Sequence, residues 1–359
     1  MALRPTRLLR NKLGTVAPLE AKWKGVGPFL YVNHHVDHYP AGTETLGPDP
    51  KLLKGHNPGW DFENDFGWRT YMATGPVPGF PALVVHVEWR LTSGTRIAAS
   101  KPCRSCAKAS WTTATALVPV HGMGTATSKP ERVGDVSVLR KPKADSRYQL
   151  WLNLPKKNKF APPEFRMLWA EEIPKIEKDN GRVRISVMAG EYEGHVPPSA
   201  PKNSWANEPG SDLAIWLFDL KAGGKVTIPP PKGADTLRTL YVHGKGARVR
   251  LGDQEVKENE AFEASPGNSA EHAIPVTAET DSTILLLQAR DIGEPVVVKG
   301  PFVMNTEDEI KQAYADYKKS HFGWEERWDT SAPVYPKDAG RFAYFGDKKV
   351  YPPGKTPQQ

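Results

Sequence analysis

Cysteine is almost absent. Cys103 and Cys106 are the only two in 359 residues, so a disulfide framework is excluded as the source of stability. They are spaced C-x-x-C, yet zinc would need two more soft ligands at matched spacing, and a redox pair would need a strand running into a helix. Neither context surrounds them. No apolar run approaches the roughly 18 residues of a membrane span, and no charged-then-apolar secretory leader opens the chain. The expectation is a soluble intracellular protein, cytoplasmic, nuclear or both, with no membrane partner. Long helical patterns are scarce as well. With 34 prolines and 31 glycines, the composition favours short strands and many turns, and the length suffices for two cores of ordinary size. An all-β, two-domain protein follows. The opening MALRPTRLLRNKLG, with four basic residues and no acid, reads as a disordered basic terminus.

Acidic residues are scarce in one place. Between Ala82 and Pro130, Glu88 is the only acid against Arg90, Arg96, Lys101, Arg104, Lys108 and Lys129, so this segment carries +5 of the chain's net +7. Elsewhere the two signs alternate as on a solvated surface, and no basic stripe with interleaved aromatics exists. Direct nucleic-acid binding is therefore the minor reading.

What is present is organised around Tyr148 to Phe165, YQLWLNLPKKNKFAPPEF, an apolar strand running into a basic, proline-bounded crossing. Tyr148, Leu150, Leu152 and Leu154 share one strand face, with Gln149, Trp151 and Asn153 on the other, and Pro155, Pro162 and Pro163 end the ladder. This stretch divides the chain into two β-rich halves. Before it, Gly27 to Val32 reads as the first core strand. The following His34, His35 and His38 have metal-ligand spacing, but no fourth ligand is evident, and a solvated strand end accounts for them. Trp60, Phe62, Phe66 and Trp68 are expected to form a lid over the first core. Leu83 to Trp89 is a strand carrying His86 and Glu88 on one face, as an H-x-E metal pair would need. An exposed strand edge is the better account of two ligands without partners.

After the crossing, Arg182 to Ala189, Leu213 to Leu220, Leu240 to Val249, which is broken by its own glycines, and Thr283 to Ala289 predict a single antiparallel barrel or sandwich. Its histidines, His195, His243, His272 and His321, are too dispersed to suggest a ligand cluster, and this half reads as structural. Thr306 and Glu309 make a capping box for a helix whose apolar stripe is Ile310, Ala313, Tyr314 and Tyr317. That helix is expected to dock on a barrel. From Trp324 the tail shows no periodicity, as a surface or mobile segment would.

The strings GVGPFLYVNHH, YQLWLNLPKKNKFAPPEF, AEEIPKI, ISVMAGEYEG and GPFVMNTEDEIKQAYADYKKSHFG, in this order between Gly25 and Gly323, resemble the pirin family. The resemblance implies an all-β bicupin: two antiparallel β-barrels of the cupin type plus a C-terminal helix returning toward the first. The expected layout is an N-terminal extension at 1–24, an N-terminal cupin barrel at 25–165 with 82–138 atypical, a C-terminal cupin barrel at 166–300, the helix at 301–323 and a tail at 324–359. It further implies iron held by three histidines and a glutamate from HPHRGFET and a later H-x-E, quercetin dioxygenase activity, and nuclear co-regulation through a transcription-factor partner. A monomer is expected.

The chain departs from the family at that motif. After Gly79-Phe80-Pro81 it reads ALVVHVEWRLTSGTRIAASKPCRSC, and the later H-x-E is missing. His86 and Glu88 precede the motif's place, and Pro231-Lys232-Gly233-Ala234-Asp235 in the second barrel brings no histidines, so no residue is assigned as catalytic, cofactor-binding or metal ligand. The genetic code offers a reason. Joining the last base of each codon to the first two of the next, the codons of Gly94 through Pro102 permit HPHRGFET residue by residue. The following codons permit a string resembling the next pirin strands, with Cys103 before Arg104 the one disagreement. Two of these steps are forced: Trp111 before Thr112 must give Asp, and Met123 before Gly124 must give Gly. The segment from about Gly94 to Ser128 therefore reads as a family sequence in the wrong frame, which also accounts for its cysteines and excess charge. A diverged barrel that lost its metal ranks second.

Overall fold

The computed structural model describes residues 13–19, 23–39, 82–89, 115–117, 133–136, 143–161, 168–299, 302–320, 340–345 and 348–354, of which 35–39, 82–147, 149, 317, 319–320 and 340–350 are described as backbone only. Cys103, Cys106, the basic terminus and the expected aromatic lid of Trp60, Phe62, Phe66 and Trp68 lie outside these residues.

The first half contributes β1 (Gly14–Pro18), β2 (Phe29–Tyr39), β3 (Ala82–Trp89), β4 (Thr115–Leu117), β5 (Val133–Val136) and β6 (Lys143–Asn153). The second contributes β7 (Lys175–Lys178), β8 (Val183–Ala189), β9 (Ala214–Leu220), β10 (Lys225–Ile228), β11 (Leu237–His243), β12 (Arg248–Leu251), β13 (Gln254–Lys257), β14 (Glu260–Ala264), β15 (Ile274–Ala278) and β16 (Ser282–Ala289). A hairpin of β17 (Val297–Lys299) and β18 (Phe302–Met304) precedes helix α1 (Glu307–Ser320), and β19 (Gly340–Phe345) and β20 (Lys348–Val350) follow it.

The molecule is built on a seven-stranded antiparallel sheet in the order β1-β14-β11-β16-β9-β8-β7. Successive side chains on a strand point to opposite faces, and here both faces are buried. On β9, Trp216, Phe218 and Leu220 face the four-stranded sheet β10-β15-β12-β13 and close the core of the second barrel. Ile215 and Leu217 instead join Phe29, Val32, Tyr148, Leu150 and Leu152 from the first half. That double burial is why AIWLFDL and STILLLQA are nearly continuous apolar runs rather than alternating ones. The first half pairs its strands in the order β2-β6-β3-β4, and the expected face of β6 is the one that meets the second barrel: Tyr148, Leu150, Leu152 and Leu154 are all at most 1% exposed.

Two features, the first strand and the tail, differ from the sequence reading. Gly14 to Pro18, assigned to an N-terminal extension, pairs as β1 with β14 of the second barrel. The run Leu240 to Val249 is broken by its own glycines as expected, into β11 and β12, because Gly244 and Gly246 adopt φ of 112° and 69° in the turn between them. The tail is not featureless, since β19 pairs with both β5 and β20; backbone pairing of this kind needs no side-chain periodicity.

Helix α1 begins as expected. The Glu309 amide donates to the Thr306 hydroxyl at 3.2 Å, and the Thr306 amide donates to Glu309 Oε2 at 3.0 Å, the reciprocal capping box. Ile310 and Ala313 are buried, but against Phe302 and Met304 of the β17–β18 hairpin rather than directly on a barrel. Tyr314 packs edge-on against Phe302 and donates its hydroxyl to the Lys299 carbonyl; the side chain of Tyr317 lies outside the description. The helix start is also tied to the crossing. Lys156 Nζ lies 3.0 Å from Glu309 Oε1, and the Lys156 amide donates to Glu294 Oε2 at 2.6 Å. Glu294 Oε2 also accepts from Asn305 Nδ2. Beside this network Lys159 is 1% exposed and donates to Asn153 Oδ1 at 2.7 Å. Burial pulls its ammonium down to about 8, against the pull of Glu294 and Glu309.

Candidate functional site between the barrels

The face of the seven-stranded sheet that meets the first half is apolar except at one end. Register places His243, Thr283, Asp219 and Arg184 side by side across β11, β16, β9 and β8. Directly opposite residues of an antiparallel ladder share a face, so these four form a polar row beside Tyr241, Leu285 and Leu217. The first half answers with His34 and Tyr148, themselves opposite each other on β2 and β6.

These groups meet across the interface. The His34 and His243 rings have centroids 4.2 Å apart, and the Tyr148 phenol oxygen is in hydrogen-bond contact with His243 Nε2. Trp23 stacks on Tyr241 at 5.1 Å and 8°, and its ring also lies against His34 and Tyr148. The Tyr241 hydroxyl donates to the Lys24 carbonyl at 2.6 Å. The cluster thus joins both halves through aromatic stacking and one buried polar contact.

Burial sets the protonation states. His243 is held well below its ordinary value by burial, reinforced by the nearby His34, so its imidazole is neutral at pH 7. Tyr148 is pushed well above 10 by burial and by the charge of Asp219, so it remains a phenol. Asp219 is pushed up to about 6 by burial, opposed by Arg184, the Thr283 hydroxyl and Lys221. A neutral imidazole, a protonated phenol and a carboxyl that titrates near neutrality can hold or pass a proton. They do not constitute the three-histidine, one-glutamate set that iron would take in the family. Among the described residues no group of three or more His, Cys, Asp or Glu side chains is placed to hold a metal ion, and the Tyr148 contact occupies His243 Nε2.

Further along the same face lies a cleft of about 270 Å³. Its floor is Leu213 and Ile215 with Met188 and Leu152, and Val196 to Ala200 form its rim. Its walls suit a small apolar ligand.

Two sequence expectations are corrected here. His34 is not on a solvated strand end, because β2 continues to Tyr39 and its His34 face is covered by the second barrel. His243 is not an isolated histidine, because the sheet register brings it onto His34 from 209 positions away in sequence. His35 and His38 lie on β2, and His86 and Glu88 on β3 opposite Gln149 and Arg147; the backbone places them without describing their side chains.

A two-layer antiparallel sheet closed by β10-β15-β12-β13, joined to a second β-sheet half, defines a bicupin. Comparison with known proteins agrees. Residues 215–323 match the pirin C-terminal cupin domain. Human pirin is 30% identical over 182 residues, covering 49% of this chain and 57% of that protein. A pirin-like protein of Solanum lycopersicum is 33% identical over 178 residues, covering 49% of this chain and 56% of its own length. The crystal structure of quercetin 2,3-dioxygenase from Acinetobacter baumannii superimposes with a TM-score of 0.59 at 19% identity, over 86% of this chain and 97% of that one, and thereby supports the fold. Residues 215–323 are thus similar to a pirin C-terminal cupin domain, and over about half its length the chain is similar to pirins and pirin-like proteins. It spans a little over half the length of the curated relatives it matches.

Among the described residues no helix is long and apolar enough to cross a membrane.

Proposed function

We propose that this chain is a pirin-like bicupin that, as translated, lacks the family's iron-ligand set and acts by presenting its surface to a protein partner. The observation that carries this reading is the sequence after Gly79-Phe80-Pro81, where ALVVHVEWRLTSGTRIAASKPCRSC stands in place of HPHRGFET. The inter-barrel cluster supports it. The histidines that the fold does bring together, His34 and His243, are engaged with Tyr148 and Trp23 in holding the halves together. A partner protein of the transcription-factor class is what the family resemblance suggests, with the nucleus or cytoplasm as compartment and the monomer as the binding unit.

A second reading rests on the codons of Gly94 to Pro102. If a frame shift after Pro81, through a retained intron or a lost base, is reversed before the crossing, the in-frame protein contains HPHRGFET. It would then be an iron-dependent quercetin 2,3-dioxygenase-like oxidoreductase, whose metal would bind and activate a flavonol and oxygen in a dry cavity. Complementary DNA spanning codons 80 to 150 separates the two. A transcript encoding TRIAASKPCRSC with no shifted or spliced form supports the metal-free module; one that reads through HPHRGFET replaces it with the enzyme.

A further inference from the structure

The interior of the second barrel holds a charge that its surroundings leave partly unused. Arg238 on β11 and Gln288 on β16 are directly opposite in register. Both point inward, because Leu240, Val242, Ile284 and Leu286 at alternate positions of the same strands line the core between the two sheets. Each is only 3% exposed. Arg238 Nη2 donates to the Pro229 carbonyl at 2.9 Å, but its Nε and Nη1 have no partner and no contact with solvent. Gln288 Oε1 is equally sealed and unpartnered, as is Nε1 of Trp216. Trp216 is the next inward residue on β9 after Ala214, which faces Gln288.

The obvious counter-charge is committed elsewhere. Asp212 Oδ2 accepts from the amides of Lys232 and Gly233 at 2.8 and 3.0 Å and from the Thr236 hydroxyl at 2.7 Å, while Oδ1 accepts from Gln288 Nε2 at 3.0 Å. Asp212 thereby pins the 229–236 loop over this end of the barrel and reaches Arg238 only as a through-space charge. Burial pulls the guanidinium down to about 10, so at neutral pH it stays charged. A buried charge with no counter-charge in hydrogen-bond contact is strongly destabilising, and arginine cannot escape by losing its proton.

We propose that Arg238, Trp216 and Gln288 form a binding site for a small organic monocarboxylate inside the second barrel, beneath the 229–236 loop. Two free guanidinium nitrogens and an indole N–H supply donors for the oxygens of one carboxylate, and one cationic side chain balances one negative charge. A dianion would leave a net charge buried. Gln288 Oε1 is suited to accept from a hydroxyl on the ligand, and the ring of Trp216, with Tyr192 edge-on to it at 4.9 Å, gives the ligand's carbon skeleton an apolar wall. Because the donor atoms are sealed, the loop must open for entry. The site uses no iron and is independent of the reading of the first half.

The full-length chain is titrated with acetate, benzoate and 4-hydroxybenzoate, with inorganic phosphate as the dianion control, following melting temperature and calorimetric heat. At least one monocarboxylate is expected to stabilise saturably, with Arg238→Met weakening it about tenfold or more. Arg238→Met is also expected to raise the melting temperature of the ligand-free protein, since it removes an unpaired buried charge. If that variant does not fold, Trp216→Phe, which keeps the ring and loses one donor, is expected to weaken binding in the same direction. No saturable stabilisation by any of the three carboxylates, equal binding by the variants, or preference for phosphate overturns the proposal. So does a carboxylate-soaked crystal in which water alone meets Arg238.

Discussion

Ile310→Ala is the sharpest test of how the helix is held. Ile310 is 1% exposed and packs with Phe302, Met304 and Ala313. The substitution removes three carbons, worth about 0.8 kcal/mol each in transfer free energy. Phe302 and Met304 are on a short hairpin with limited freedom to collapse, so a cavity term adds to this, and the loss should be about 2 to 4 kcal/mol. Gln312 is exposed, and its amide donates to Asp316 Oδ1 at 2.7 Å; removing that pair by Gln312→Ala should cost no more than about 0.5 kcal/mol. Because the helix docks on the hairpin rather than on a barrel, part of the loss should appear as local opening. Amides of α1 should therefore exchange faster in Ile310→Ala, while those of β9 and β16 keep their protection. Urea unfolding with hydrogen exchange measures both quantities. Equal destabilisation by the two variants would refute the assignment of the buried stripe.

Tyr148→Phe strips a buried phenol from His243 Nε2 and should cost about 1 to 3 kcal/mol in urea unfolding. Asp219→Asn should stabilise the protein at pH 8 by on the order of 2 kcal/mol and have little effect at pH 4. The sign follows from a carboxyl raised to about 6 in the folded state: its ionisation opposes folding above the unfolded value, and that penalty disappears as pH falls through 6 toward 4. His243 acts in the opposite direction. Its folded value lies below the unfolded one, so the stability it contributes is fully present above about pH 6.5 and is lost as pH falls. His243→Gln should therefore flatten the acid limb of a stability profile, and an unchanged limb would remove His243 from the account. Lys159, lowered to about 8, opposes folding while protonated, so stability attributable to it should rise between about pH 8 and 10.5, and Lys159→Met should abolish that rise in a pH series of unfolding curves.

The strands and the helix were legible because each carries a local signal. Leu150, Leu152 and Leu154 alternate, the Thr306 and Glu309 pair spells a capping box, and Pro155 marks where β6 gives out. The inter-barrel site was less so. His34 and His243 look unrelated until β2 pairs with β6 and β11 takes its place in the seven-stranded sheet, because contact across a sheet interface depends on register rather than proximity in sequence. One signal was available: Asp219, Thr283 and His243 are polar residues near the ends of otherwise apolar strands, and three such interruptions at one edge indicate a polar row. The strand at Gly14 to Pro18 was missed for a related reason. Its partner β14 lies 242 to 250 positions away, and GTVAP has too little hydrophobic contrast to declare a strand by itself. Arg238 was hidden because an arginine between Leu237 and Thr239 near the start of a strand reads as an outward-facing residue unless both faces of the sheet are known.

The central claim is that the chain as written has no iron site. Full-length protein purified without chelators, reconstituted with ferrous iron and desalted, should retain far less than one iron per chain by elemental analysis and show no quercetin turnover; retention of stoichiometric iron with turnover would contradict it.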